Sequence, residues 1–368
     1  MAYRVIQYGT GFVGSHALRG IIQHPELELV GLVVFAGPTG EDKTGRDAGE
    51  LCGLDPVGVL ATPDINAAIA MEADAFCYLA AAWFRIEEVV DEFCRILASG
   101  KNIVSTSLSA LIDPLSAPPQ LRDRIEEACR QGGTTCYCTG IDPGFFSDYL
   151  PVVLSGCFER IDSIRIYELA TYPPYLQADE VAFDILGFGQ PLDASPPIVQ
   201  PEGLLDNWAG VVSQIAGQLG VKLDDIVTSY ELHPADEKFE FQGRQIEAGT
   251  IAALRFEIAG VVAGEKRIAV EHVTRTRDDL APQWPHPLQQ DAYRIVIDGS
   301  PHLECEFQFQ GEDGGRVSGA YNITAMRAVN AIPTVCEAKP GLISVFDLPM
   351  ITGLHRMAGS PSSIGPSA

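Results

Sequence analysis

Apolar positions recur along this chain in two rhythms. Up to Thr139, short continuous apolar runs alternate with stretches of helical spacing. Val5, Ile6 and Tyr8 belong to the first run, and Ala17, Leu18, Ile21 and Ile22 then recur at helical spacing. Leu27–Ala36 reads as the second strand, almost continuously apolar from Leu29 to Phe35, as a parallel strand buried on both faces should be. Next come a short helix over 66–71, a strand over 75–80 and an amphipathic helix over 86–99, with Val89, Val90, Phe93 and Leu97 on one stripe. A strand over 102–106, a helix over 121–130 and a strand over 134–139 complete the series. Strands and helices in alternation predict a Rossmann-type, doubly wound parallel sheet, an α/β domain.

The rhythm changes at Gly140-Ile-Asp-Pro-Gly-Phe145. The strands beyond it lengthen and alternate: 161–169, 251–262, 267–274, 293–297 and 303–309. Period-two runs with polar turns predict a second, α+β domain with a mainly antiparallel sheet. Helices at 178–186 and 204–219 interrupt it, and the proline-rich stretch 191–201 is too short for an interdomain linker. The helix predicted over 322–331 is expected to return to the first domain. Gly359–Ala368, rich in Ser, Pro and Gly, is expected to fray. The expected division is 1–140 for the Rossmann domain, 141–320 for the α+β domain, 321–358 for the returning helix and 359–368 for a tail.

The first turn carries chemistry. Gly9, Gly11 and Gly14 stand in GxGxxG spacing between a strand and a helix, within Gly9-Thr10-Gly11-Phe12-Val13-Gly14. Such a turn lets a pyrophosphate approach backbone N–H groups at a helix N-terminus. Where an NAD enzyme usually places an acid, at the end of the second strand, this chain has Ala36-Gly37-Pro38, with Lys43 in the loop beyond. That combination points to NADP(H), with NAD(H) as the alternative cofactor. Ala80 and Ala81, small residues at the end of the strand over 75–80, either leave room for a nicotinamide or serve ordinary packing.

Charge narrows the partners. With 49 acidic and 25 basic residues in 368, the formal net charge is −24, which repels nucleic acid and anionic membranes. No apolar run reaches the roughly 18 residues of a membrane helix. A core strand beginning at Tyr3 and nine scattered cysteines suggest reduced thiols and a cytoplasmic protein. Neither the cysteines nor the seven histidines show metal-ligand spacing, so no metal is expected. Candidates for proton handling are Asp142, in the turn after the last parallel strand, and Glu168, on the first strand of the second domain. Tyr172 and Trp208 are core residues or the lining of an apolar pocket. His272, in Val-Glu-His-Val, reads as a sheet residue rather than a catalyst.

The motifs Tyr8-Gly-Thr-Gly-Phe-Val-Gly14, Asp47-Ala-Gly-Glu-Leu-Cys-Gly-Leu54 and Thr139-Gly-Ile-Asp-Pro-Gly-Phe145 occur together with Gly187-Phe-Gly-Gln-Pro191, Val270-Glu-His-Val-Thr-Arg275 and Val329-Asn-Ala-Ile-Pro333. In these the chain resembles the dihydrodipicolinate-reductase-like proteins of actinobacterial type, a group related to 2,4-diaminopentanoate dehydrogenase and the native amine dehydrogenases. The resemblance runs over nearly the whole chain. It implies a Rossmann domain, a second domain that forms a homodimer and covers a small-molecule substrate, and hydride transfer between NAD(P)H and a C=N or C=O carbon. A non-catalytic NADP-binding sensor is the alternative reading. The resemblance also implies that Lys43 favours NADP, and the cofactor candidates extend to Ser107 and Asn322. The related amine dehydrogenases carry a catalytic glutamate just after the strand over 102–106. Ser109 stands at the matching position here, a third catalytic candidate that cannot act as that base without a partner.

Overall fold

A computed structural model describes residues 2–35, 42–83, 85–172, 180–289 and 291–357. It divides into two compact units, one of Met1–Ile141 with 311–313 and Ser318–Ala368, the other of Asp142–Gln310 with 314–317. The end of the second strand at Ala36–Pro38, the start of the helix expected from 178, and the tail lie outside the described residues.

The first unit begins with β1 (Tyr3–Tyr8), α1 (Phe12–Ile22), β2 (Leu27–Val33) and α2 (Ala48–Leu51). It goes on with β3 (Ala61–Thr62), α3 (Ile65–Ala70), β4 (Ala75–Tyr78), α4 (Ile86–Ala98), β5 (Asn102–Ser105), α5 (Pro119–Gly132) and β6 (Thr135–Cys138). The second unit contains α6 (Tyr149–Ser155), β7 (Arg160–Thr171), a π-helical turn over Glu180–Ile185 and α7 (Pro201–Gln218). Its remaining strands are β8 (Asp225–Pro234), β9 (Phe239–Phe241), β10 (Arg244–Ile246), β11 (Ile251–Val262), β12 (Glu265–Arg275), β13 (Ala292–Ser300) and β14 (Leu303–Phe307). The chain then supplies α8 (Arg316–Val329), α9 (Ile332–Glu337) and β15 (Gly341–Ile343), nearly all grouped with the first unit.

In the first unit the seven strands lie in the order β15-β6-β5-β4-β1-β2-β3, every described pair parallel. The order in which the chain adds strands reverses between β1 and β4, the switch point where a doubly wound sheet binds its ligand. Strands buried on both faces explain the continuous apolar runs: all four residues of β4 and of β6 are buried. The stripe of α4 (Val89, Val90, Phe93 and Leu97) is buried. After α5, Gly133 takes φ +65°, the left-handed position that closes a helix. α8 packs close to α1, where a Cβ at Gly20 would stand 2.4 Å from Met326 Cε.

The second unit is built on a six-stranded sheet, β14-β13-β7-β12-β11-β8. Every pairing is antiparallel except β7–β12, which is parallel. Alternation sets which residues share a face but not the direction of the neighbour, so this one parallel pair had no signature in sequence. α7 covers one face, packing on β8, β11 and β12. Directly paired residues project from the same face. The registers therefore place one cross-strand row on a single face: Tyr230, Phe256, His272, Glu168, Tyr293 and Phe307. The arginines of the same strands alternate to the other face, where Arg165 and Arg255 lie 3.0 and 2.7 Å from the fully buried Glu271.

Candidate functional site

Two constellations carry chemistry, one in each unit. The first is the turn after β1. Gly9 has φ +101°, and a Cβ there would come within 2.9 Å of Ala80 N. At Gly14 a Cβ would stand 2.4 Å from Gly9 O, so only glycine lets α1 lie this close to the strand. Around a Cβ at Gly11 nothing lies within 4 Å. The open position is therefore Gly11, a cradle at the N-terminus of α1 that a side chain would fill. Gln7, fully buried, fastens the turn by donating from Nε2 to Gly9 O at 2.8 Å and to Gly14 O at 2.7 Å.

Other residues marked in the sequence gather here. Lys43 Nζ donates to the carbonyl of Thr10 at 2.7 Å, which sets an ammonium directly on the glycine turn. Asp47 anchors its loop by accepting from the backbone N–H of Gly49, Val57 and Gly58. Ser107 donates to Ala80 O at 2.6 Å and so ties the segment after β5 to the end of β4. Ala81 is exposed beside it. Phe12 stacks on Tyr321 of α8 at 5.2 Å, which brings the exposed Asn322 into the same neighbourhood of the chain. Val13 lies in the first turn of α1. Ser109 begins a short 3-10 turn, Ser109–Leu111, in this unit.

The second constellation lies on the sheet row of the other unit. Asp142 is its first residue, and the side chain is wholly buried. Trp208 of α7 donates from Nε1 to Asp142 Oδ1 at 3.1 Å. Asp142 Oδ2 lies 2.8 Å from His272 Nε2, an ion-pair contact in which neither atom has an aligned hydrogen bond among the described residues. The opposite ring nitrogen, Nδ1, lies 3.6 Å from Glu168 Oε1. Tyr293 donates its hydroxyl to Glu168 Oε2. Phe256 stacks flat on the imidazole at 4.6 Å, and Trp208 meets it edge-on at the same distance.

Burial by itself disfavours a charged imidazole. The carboxylates of Asp142 and Glu168, one on each side of the ring, outweigh it and lift His272 to about 10. Burial, then the charges of Glu168 and Asp142, push the Tyr293 phenol well above its usual value, so it stays protonated and donates. One nitrogen and two carboxylate oxygens within 4.8 Å of one another also form a donor set for a cation. Each ring nitrogen, however, already faces a carboxylate, and a metal would have to displace the proton that this arrangement holds. The structure thus joins Asp142 to Glu168 through His272, which sequence reasoning took for a sheet residue. Tyr293 was read only as part of a strand. Trp208 is core, as one reading had it, and also a hydrogen-bond donor to Asp142.

A Rossmann sheet with an open glycine cradle and a separate acid–base cluster defines a nicotinamide-dependent oxidoreductase. The family model for the 2,4-diaminopentanoate dehydrogenase C-terminal domain matches residues 145–360. An amine dehydrogenase of Streptomyces virginiae is 37% identical over 97% of this chain and 99% of its own. The 2,4-diaminopentanoate dehydrogenase of Acetoanaerobium sticklandii is 25% identical over 94% of this chain and 93% of its own. The solved amine dehydrogenase of Mycobacterium smegmatis superposes with a TM-score of 0.77 at 19% identity, covering 96% of this chain and 97% of that one. The chain belongs to the amine dehydrogenase and 2,4-diaminopentanoate dehydrogenase family. It is an NAD(P)-dependent oxidoreductase acting on amine or imine substrates. Among the described residues no helix is long and apolar enough to cross a membrane.

Proposed function

We propose that this chain reduces a small iminium with NADPH, that His272 holds the proton the reaction exchanges, and that the working form is a homodimer. The dinucleotide supplies the hydride. For its pyrophosphate, the open position at Gly11 and the N–H groups of α1 are the receiving surface. Lys43 spends its hydrogen bond on a neutral carbonyl, so its charge is left for a phosphate. That supports NADPH over NADH.

The single observation that carries the chemistry is His272 buried between two carboxylates. Two carboxyl groups, Asp142 and Glu168, face one imidazole, His272, which burial disfavours and their charges favour as a cation, and the Tyr293 hydroxyl donates without adding charge. The cluster is one positive charge short of balance. A protonated imine supplies that charge; hydride transfer turns it into a neutral amine, which becomes an ammonium by taking the proton of His272, and solvent then returns a proton to His272. The carboxylates can hold the cation, while His272 exchanges the proton with nitrogen or with solvent. This relieves the difficulty at Ser109, which need not serve as a base. The test is reductive amination of 2-pentanone with ammonium, NADPH and NADH being compared in the parent and in His272→Asn. NADPH is expected to give the higher kcat/KM, and the variant to lose about 10²-fold or more. Equal use of the two cofactors would remove the preference. A loss of only a few-fold would remove His272 from the chemistry.

A further inference from the structure

We infer that Glu168 is the catalytic residue that carries the proton between His272 and the substrate nitrogen, with His272 a reservoir behind it and Asp142 a fixed counter-charge. This rests on the reading that His272 holds the exchanged proton. What encloses the ring decides the route. Phe256 lies flat on the imidazole at 4.6 Å with the planes 16° apart, and Trp208 meets it edge-on at 4.6 Å. Nε2 lies 2.8 Å from Asp142 Oδ2, and Nδ1 lies 3.6 Å from Glu168 Oε1. With a carboxylate set against each ring nitrogen, a proton that leaves the ring passes to one of the two acids.

Those two acids are not equivalent. The Asp142 side chain is 0% exposed, and its other oxygen accepts from Trp208 Nε1 at 3.1 Å, so a proton given to it has no way on. The Glu168 side chain is 18% exposed against 7% for His272, which makes it the member of the three most open to water. Its Oε2 accepts the Tyr293 hydroxyl, and that ring is held by Phe146, stacked at 4.7 Å with the planes 2° apart. Oε1 is the oxygen left to move protons. At 3.6 Å from Nδ1 it stands just past hydrogen-bond reach, where a small shift of the side chain makes or breaks the link. In the step, the Nδ1–H bond breaks as an O–H bond forms at Oε1, and that bond breaks as the amine lone pair takes the proton. The transfer moves a proton and no electrons, since the lone pair appears once hydride has reached carbon. Solvent then protonates Glu168, which passes the proton back to Nδ1.

The experiment follows the imidazole N–H protons of the full chain, labelled with ¹⁵N-histidine, by NMR at neutral pH, with His272→Asn identifying the resonances of this ring. In the parent, the Nδ1 proton should exchange with water faster than the Nε2 proton, which faces the closed acid. In Glu168→Gln both resonances should persist, and exchange at Nδ1 should slow towards the rate at Nε2. Glu168→Asp, which keeps the carboxylate, should restore part of it. With 2-pentanone, ammonium and NADPH, Glu168→Gln should lose about 10²-fold in kcat/KM, and Glu168→Asp should recover part of that loss. Equal exchange at the two nitrogens of the parent would overturn the route. So would exchange at Nδ1 left unchanged in Glu168→Gln, or a loss of only a few-fold in kcat/KM. Absence of two His272 N–H resonances in the parent would instead overturn the reading that the ring holds the proton, and the route with it.

Discussion

A proton on His272 is opposed by burial and held by two carboxylates, so removing either carboxylate should release it at lower pH. The parent should reduce its substrate at a steady kcat/KM from about pH 7 to about pH 9, then lose activity as His272 deprotonates near 10. In Glu168→Gln that descending limb should move down; a limb left in place would dissociate the pH dependence from His272. Stability follows the same sign. The folded pKa lies above the ordinary 6.5, so this contribution is complete below about pH 6.5 and is lost as pH rises through about 10. The gap in Tm between parent and Glu168→Gln should therefore narrow over that interval. Asp142→Asn keeps an oxygen to accept from Trp208 Nε1 but removes the charge beside Nε2. It should lower kcat/KM by about 10²-fold with NADPH affinity unchanged, and a change of a few-fold in steady-state kinetics would leave Asp142 a structural turn residue.

The turn between β1 and α1 separates packing from binding within a few residues. At Gly14 an added methyl meets Gly9 O at 2.4 Å, so Gly14→Ala must push α1 away from the strand. Overpacking of this kind costs about 1–3 kcal/mol and should lower Tm by roughly 5 °C. Gly11 has open space around it, so Gly11→Val should keep the parent Tm yet lose dinucleotide binding in a fluorescence titration. Retained binding there would mean the cradle does not receive the pyrophosphate. This much was legible in the sequence, because a strand, three glycines and a helix constrain one another locally. The candidate row on the second sheet was less so. Asp142 and Glu168 stood out as acids near a change of rhythm, but β12 is buried on both faces around Glu271 and His272. Alternation therefore could not say which of the two faced α7. Only the registers of four strands bring Phe256, His272, Glu168 and Tyr293 into line. Elements with a weak pattern escaped as well: β8 is a half-exposed strand rich in polar residues, and α6, α9 and β15 are short.

Net charge acts on the encounter with the cofactor before any contact forms. A chain of −24 presents a repulsive field to a polyanionic dinucleotide, while Lys43 offers attraction only once the phosphate has arrived. The two act over different distances. At about 10 mM salt the Debye length is about 30 Å, and the field of the whole surface reaches an approaching ligand. At about 150 mM it is about 8 Å, and only charges around the turn are felt. The association rate constant of NADPH should therefore rise with salt over this range, the reverse of a basic nucleotide-binding surface. With Lys43 on the phosphate as proposed, dissociation depends on that short-range contact and should rise less steeply. In Lys43→Ala the salt dependence of association should persist while dissociation becomes faster at every salt concentration. Stopped-flow fluorescence separates the two constants. An association rate that falls as salt is added would show that local positive potential, rather than the net charge of the molecule, governs how the cofactor is found.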